Sequence, residues 1–176
     1  MDVYIGTIFK DNWEWEPLDS VMLAKLATYR NKFYYEFFPE VAVNSGSYNS
    51  LKNAIPRIDL LPRYGDVHGS ATGNQFNLHN YTCRATTYLI ANEVKNVSFR
   101  WATDDEGAAF LNGTCLGTNT SCQWSTAQTI SLKKGCNEIA IIWHEASGGE
   151  WMTTDSLSAI RGADIIQTGI PINSYR

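Results

Sequence analysis

Apolar and polar positions along the chain change their spacing twice. Between Leu18 and about Phe38, the residues Met22, Leu26, Tyr29, Phe33 and Phe37 recur every three or four positions. That period places them on one face of a helix. Asp19 or Ser20 can cap its start, and Pro39 stops it, because proline has no N–H to continue the ladder. Ahead of it, "MDVYIGTIFKDNWEWEP" holds a short strand-like run and a Trp-rich turn. Residues 40–80 are punctuated by Gly, Ser, Asn and Pro in "NSGSYNS", "IPRIDLLPRYGD" and "HGSATGNQ". Such punctuation leaves room only for short strands and ordered loops.

From about Phe76 the spacing becomes that of strands. "YTCRATTYLI" and "KNVSFRWATD" are β-branched and aromatic runs with a charged break between them. "AAFLNGTCLGT" sets Asn112-Gly113 between two short runs, and both residues tolerate the positive φ of a type I′ hairpin turn. "TAQTISL" and "NEIAIIWHEA" add two strands around the turn "KKGC", and "SLSAIRGADIIQ" supplies one or two more. Short strands at regular spacing predict a mainly β protein, an antiparallel β-sandwich with an N-terminal helical extension. The expected division is residues 1–40, a strand-like segment and amphipathic helix serving as anchor or oligomerisation element, and residues 41–176, the sandwich.

Composition narrows the function classes. With 44% hydrophobic residues the chain is not a disordered one. Lys and Arg total 14 against a net charge of −4, with no basic run, so a nucleic-acid partner is not expected. No apolar run reaches the ~18–20 residues of a membrane span. The start, "MDVYIGTIFKDN", lacks the basic and apolar regions of a signal peptide. Cys83, Cys115, Cys122 and Cys136 form no CxxC pair and no zinc spacing with His68, His79 and His144. Cys115 and Cys122 flank "LGTNTS" and can close a disulfide under oxidising conditions; four free thiols is the equal alternative. The four Asn-x-Ser/Thr triplets, "NYT", "NVS", "NGT" and "NTS", read as turn composition.

The stretch "WATDDEGAAFLNGTCLG", then Trp124, then "AQTISLKKGCNEIAIIWHEASGGEWM" resembles the galactose-binding-like jelly-roll sandwiches and also the protective-antigen/flocculin lectin domain, which implies a jelly-roll-like antiparallel β-sandwich. The features shared are an acidic turn after a strand, an Asn-Gly hairpin, and a later element made here of Leu132, Gly135, Asn137 and Ile139. The resemblance covers about residues 95–160. It implies that Asp104 and Asp105 hold a calcium ion that bridges to sugar hydroxyls, since calcium takes several hard oxygen ligands. Glu106 stands where that family has glycine or a small residue, ahead of Gly107. Asn119, Asn137 or Glu145 are candidates for the remaining ligands. An acidic turn that only caps loop N–H groups is the structural alternative.

For ligand binding the candidates are Asp104, Asp105, Trp151 and Glu150, with Trp151 in "SGGEWMTTD" as a platform for a pyranose ring. Trp143 is assigned to the core. No catalytic residue is assigned: there is no G-x-S-x-G, H-E-x-x-H or P-loop, adjacent aspartates do not face each other across a cleft, and His144 reads as a strand end. The expected function is a non-catalytic binding or assembly module of a phage-like virion or a surface protein, located on a virion or extracellular surface. Its expected partners are a glycan, and other proteins or copies of itself through the N-terminal segment. Two alternatives stay open: a structural virion or decoration protein without glycan binding, and an accessory domain of a glycan-active enzyme.

Overall fold

A computed structural model describes residues 8–9, 15–16, 20–66, 79–120, 122–148, 150–154 and 165–171. The remainder of the first nineteen residues, the stretch "HGSATGNQ" and the first part of "SLSAIRGADIIQ" lie outside the described residues. In chain order the elements are β1 (Ile8–Phe9), β2 (Trp15–Glu16), α1 (Ser20–Tyr29), β3 (Lys32–Pro39), α2 (Ser47–Lys52), β4 (Arg63–Asp66) and β5 (Tyr81–Ala91). There follow β6 (Lys95–Phe99), β7 (Trp101–Thr103), β8 (Gly107–Leu111), β9 (Thr114–Asn119), β10 (Gln128–Leu132), β11 (Gly135–Glu145), β12 (Met152–Thr154) and β13 (Ile165–Thr168). The protein is mainly β and its strands pair antiparallel throughout.

β5 and β11 pair along their whole length, from Tyr81 opposite Glu145 to Ala91 opposite Gly135. They form the centre of a sheet ordered β4-β3-β5-β11-β8-β9, with β13 also on β5. Side chains alternate between the faces of a strand. One face therefore gathers Phe33, Tyr35 and Phe37 of β3, Cys83, Ala85 and Leu89 of β5, and Ile139, Ile141 and Trp143 of β11. Two short ladders, β10-β6 and β12-β7, cover it with Phe99, Trp101, Ile130, Leu132 and Met152. The opposite face packs Phe38, Ala108, Phe110, Ala140 and Ile142 against Val43 and Leu51, the latter on α2. Burial on both faces is what the unbroken apolar run "IAIIW" in β11 requires.

The helix expected over Leu18–Phe38 is realised only over Ser20–Tyr29. Asn31 has a left-handed φ of 61°, a conformation that ends helices, and its N–H donates to the Gln167 carbonyl at 2.9 Å. Beyond it, Phe33 and Phe37 satisfy a period of two as well as one of four once Tyr35 is counted. All three are fully buried in a strand of the main sheet. The turn-rich segment also contains α2, which the loop reading of residues 40–80 did not anticipate. Asn112 and Gly113 have φ of 49° and 84°, as the hairpin reading expects.

Candidate functional site

The acidic turn joins β7 to β8 at one end of the sandwich, and its three carboxylates go three ways. Asp104 is 8% exposed. Its N–H donates to the Trp151 carbonyl (2.9 Å), and its Oδ1 accepts both the Asp105 N–H (2.9 Å) and the Cys122 thiol (2.8 Å). Asp105 takes a left-handed φ of 54°, which turns its carboxylate back toward β11, where Oδ2 accepts the Ala146 N–H at 2.9 Å. Glu106 turns to the other side. Its carboxylate accepts the Val43 N–H at 3.3 Å and lies 3.2 Å from His144 Nδ1, whose Nε2 is 2.6 Å from Glu40. Glu106 thus clasps the segment after β3 to the end of β11, while the aspartates remain together at the mouth of the core.

Gly107 after the turn is required by packing. A Cβ there would run into the Thr103 hydroxyl and meet the Trp101 ring at 3.0 Å. The missing side chain lets β8 enter the sheet opposite Trp143 as soon as the acidic turn ends.

Behind the pair stands Glu145, the last residue of β11. It shares the inward face with Ile141 and Trp143 and is 0% exposed, and neither of its carboxylate oxygens has a hydrogen-bond partner among the described residues. Burial, followed by the charges of Asp104, Asp105 and Glu150, pushes its carboxyl up to about 8. Glu150 is 1% exposed and accepts the Tyr81 hydroxyl at 2.5 Å; burial raises that phenol far above its ordinary range. The Nε1 atoms of Trp101 and Trp143 and the hydroxyls of Thr103 and Thr154 are also buried without partners. Native interiors rarely leave such atoms unpaired, and a buried unpaired carboxylate is the costliest kind.

The structure brings together Asp104, Asp105, Glu145, Glu150 and the backbone of Trp151, whose side chain is half-buried. Asp104 is less exposed than the surface site expected from the sequence, and Glu150 faces the interior. Asn137 is elsewhere. It lies roughly 26 Å along the strand from Glu145, at ~3.3 Å per residue. Its amide donates to the carbonyls of Leu89, Lys133 and Gly135, so it pins a turn. Asn119 pairs with Gly107 at the acidic end, and its amide donates to the Gln123 carbonyl. Cys115 and Cys122 form no disulfide, and the Cys122 thiol donates to Asp104 Oδ1 instead. The loop bearing Cys122 is tied to β7 by Ser125, which exchanges two hydrogen bonds with the Trp101 backbone. The same loop carries Trp124, 38% exposed, with the Arg100 guanidinium 4.3 Å from its ring centre.

Sequence reasoning named Glu145 among the candidates for the remaining calcium ligands and Cys122 as a disulfide partner, but placed neither the burial of Glu145 nor the contact of Cys122 with Asp104. The parity of β11 carried a signal for Glu145, because it continues the buried series Ile139, Ile141, Trp143. For Cys122 there was none, since its partner is eighteen positions away across an irregular loop.

No protein-family model matches the chain, and no curated protein matches it. Among solved structures it is similar to the PA14 domain of the MpAFP antifreeze protein, with a TM-score of 0.46 and 14% identity over 82% of this chain and 93% of that one. It is similar to the PA14 sugar-binding domain from an RTX adhesin, with a TM-score of 0.41 and 12% identity over 78% and 94%. It is also similar to the β-glucosidase of Kluyveromyces marxianus, with a TM-score of 0.46 and 14% identity over 73% of this chain, which spans only 17% of that enzyme. PA14 domains are thus among the structural neighbours; at these scores and identities, what the neighbours bind or cleave is not carried over to this chain.

Proposed function

We propose that the chain is a non-catalytic binding module whose acidic end holds a divalent cation and, through it, the hydroxyls of a glycan. The observation that carries this reading is Glu145: a fully buried carboxylate with both oxygens unpartnered, standing behind Asp104 and Asp105. A cation held by the aspartates offsets the mutual repulsion of these groups and the negative field in which Glu145 is buried. Asp104 and Asp105 present the cation at the mouth of the sandwich, where coordination positions left open accept vicinal sugar hydroxyls. The indole faces of Trp151 and Trp124 beside the turn offer apolar surface to a pyranose ring. Acid–base chemistry is not supported: Asp104 and Asp105 are consecutive on one turn, and Glu150 is engaged by Tyr81 inside the core.

A second reading, assembly with other proteins on a virion or cell surface, is favoured by the exposed apolar residues Ile55, Ile58 and Leu61 beside the edge strand β4. No helix among the described residues is long and apolar enough to cross a membrane.

A glycan array tests the first reading, probed with and without a divalent-cation chelator and repeated with Asp104→Ala/Asp105→Ala. The expected result is binding to a defined glycan group that both chelation and the double substitution abolish. Binding indifferent to both, or an array empty in the presence of divalent cations, contradicts it.

A further inference from the structure

Resting on the cation site proposed above, we infer that this site takes a thiophilic divalent cation of the zinc class in preference to calcium, with Cys122 as its sulfur donor. The donor atoms of Asp104, Asp105 and Cys122 all lie within 4.8 Å of one another. Ligands around a zinc ion stand at roughly 2.0–2.3 Å from it, so atoms grouped this closely reach one ion with small side-chain shifts.

Calcium is the less suited guest. It takes about 6–8 oxygen ligands in an adaptable shell. Here Asp104 Oδ1 already accepts the Asp105 N–H and Asp105 Oδ2 the Ala146 N–H, and a sulfur occupies the position beside Asp104 that a further oxygen would need. A thiolate is a soft donor that selects zinc and its neighbours over hard ions. The bonds to backbone N–H groups are what a compact set of carboxylate ligands uses to fix its orientation. Glu145 supplies the independent sign of a guest, since its carboxylate is fully enclosed and unpartnered in the field of both aspartates. Glu145 stands outside that close group, so one sulfur and two carboxylates hold the ion and leave a fourth position open.

Binding breaks the Cys122 S–H bond heterolytically. The electron pair stays on sulfur and forms the sulfur–metal bond, and the proton passes to solvent, with Asp104 Oδ1 already accepting that thiol hydrogen. No oxidant or reductant is involved.

The test uses the full chain, stripped of metal by a chelator and kept reduced, titrated with cobalt(II) as the spectroscopic stand-in for zinc. The expected result is a sulfur-to-cobalt charge-transfer band that saturates at one ion per chain. Zinc displaces it at equivalence, and excess calcium does not. Cys122→Ser lacks the band and loses roughly 10–100-fold in zinc affinity, while melting like the parent protein. Glu145→Gln, read by the same band, weakens cobalt binding. If calcium binds stoichiometrically and expels cobalt, or if the band survives Cys122→Ser, the sulfur-donor inference is overturned while the cation site stands. If neither calcium nor cobalt binds, the cation site falls with it.

Discussion

Glu145 and Asn137 lie on the same face of one strand and show how differently a buried polar side chain can be treated. Asn137 is completely satisfied: its amide donates to three carbonyls, and its Oδ1 accepts the Lys133 N–H and the Asn112 amide. Asn137→Ala leaves several of these buried groups unpaired at once, so a loss of about 1–3 kcal/mol is expected in denaturant titration. Glu145 is not satisfied, and its carboxyl, pushed up to about 8 from 4.5, makes stability depend on pH. The folded state holds this proton more tightly than the unfolded chain does. Its contribution is therefore fully present below about pH 4.5 and is lost as pH rises toward about 8. In the cation-free protein, Glu145→Gln is expected to flatten the unfolding free energy across that window and to stabilise the protein at its upper end. A Glu145→Gln profile that tracks the parent between those pH values would show that Glu145 is not held protonated. Gly107→Ala belongs at the same scale: with Thr103 and Trp101 against the position, overpacking is expected to cost about 1–3 kcal/mol.

At the scale of elements, the strands from Tyr81 to Glu145 were legible because alternation, β-branched residues and the Asn112-Gly113 turn agree with one another. The segment Lys32–Pro39 was not, because Phe33 and Phe37 fit a helix and a strand equally well when counted four apart. What decides it is tertiary: β5 offers a ladder from Tyr34 opposite Thr86 to Pro39 opposite Tyr81, and Asn31 ends the helix first. Phe37→Ala is accordingly expected to cost about 3–5 kcal/mol, as a fully buried aromatic of the main sheet. Ile58→Ser, at 94% exposure, is expected to change stability by no more than about 0.5 kcal/mol. Comparable losses at the two positions would place Lys32–Pro39 outside the core. The candidate site was half legible. Asp104 and Asp105 are consecutive and stood out as a pair, whereas Cys122, Glu145 and Tyr81 reach them only through the fold, from a loop and two separate strands.

Across the whole molecule, one end of the sandwich concentrates what the rest avoids. The central sheet is covered by the β10-β6 and β12-β7 ladders on one face and by α2 and its flanking segment on the other. Most of the interior is aliphatic and aromatic, yet beside the acidic turn it holds Asp104, Glu145, Glu150 and four unpartnered donor groups. A purely structural module gains nothing from burying Glu145 beside three other carboxylates. A cation-binding one does, because the repulsion that destabilises the empty site becomes affinity when the ion arrives. Equilibrium unfolding of the chelator-stripped protein, with and without saturating divalent cation, tests this most directly. The account predicts that cation at about 100 times its dissociation constant stabilises the parent by about 2.7 kcal/mol. It also predicts that Asp104→Ala/Asp105→Ala abolishes this gain, and that Glu145→Gln starts out more stable than the parent and then gains less from the same cation concentration. A parent protein whose stability no divalent cation changes, or a Glu145→Gln protein that is weaker than the parent without cation and gains as much with it, would contradict the account.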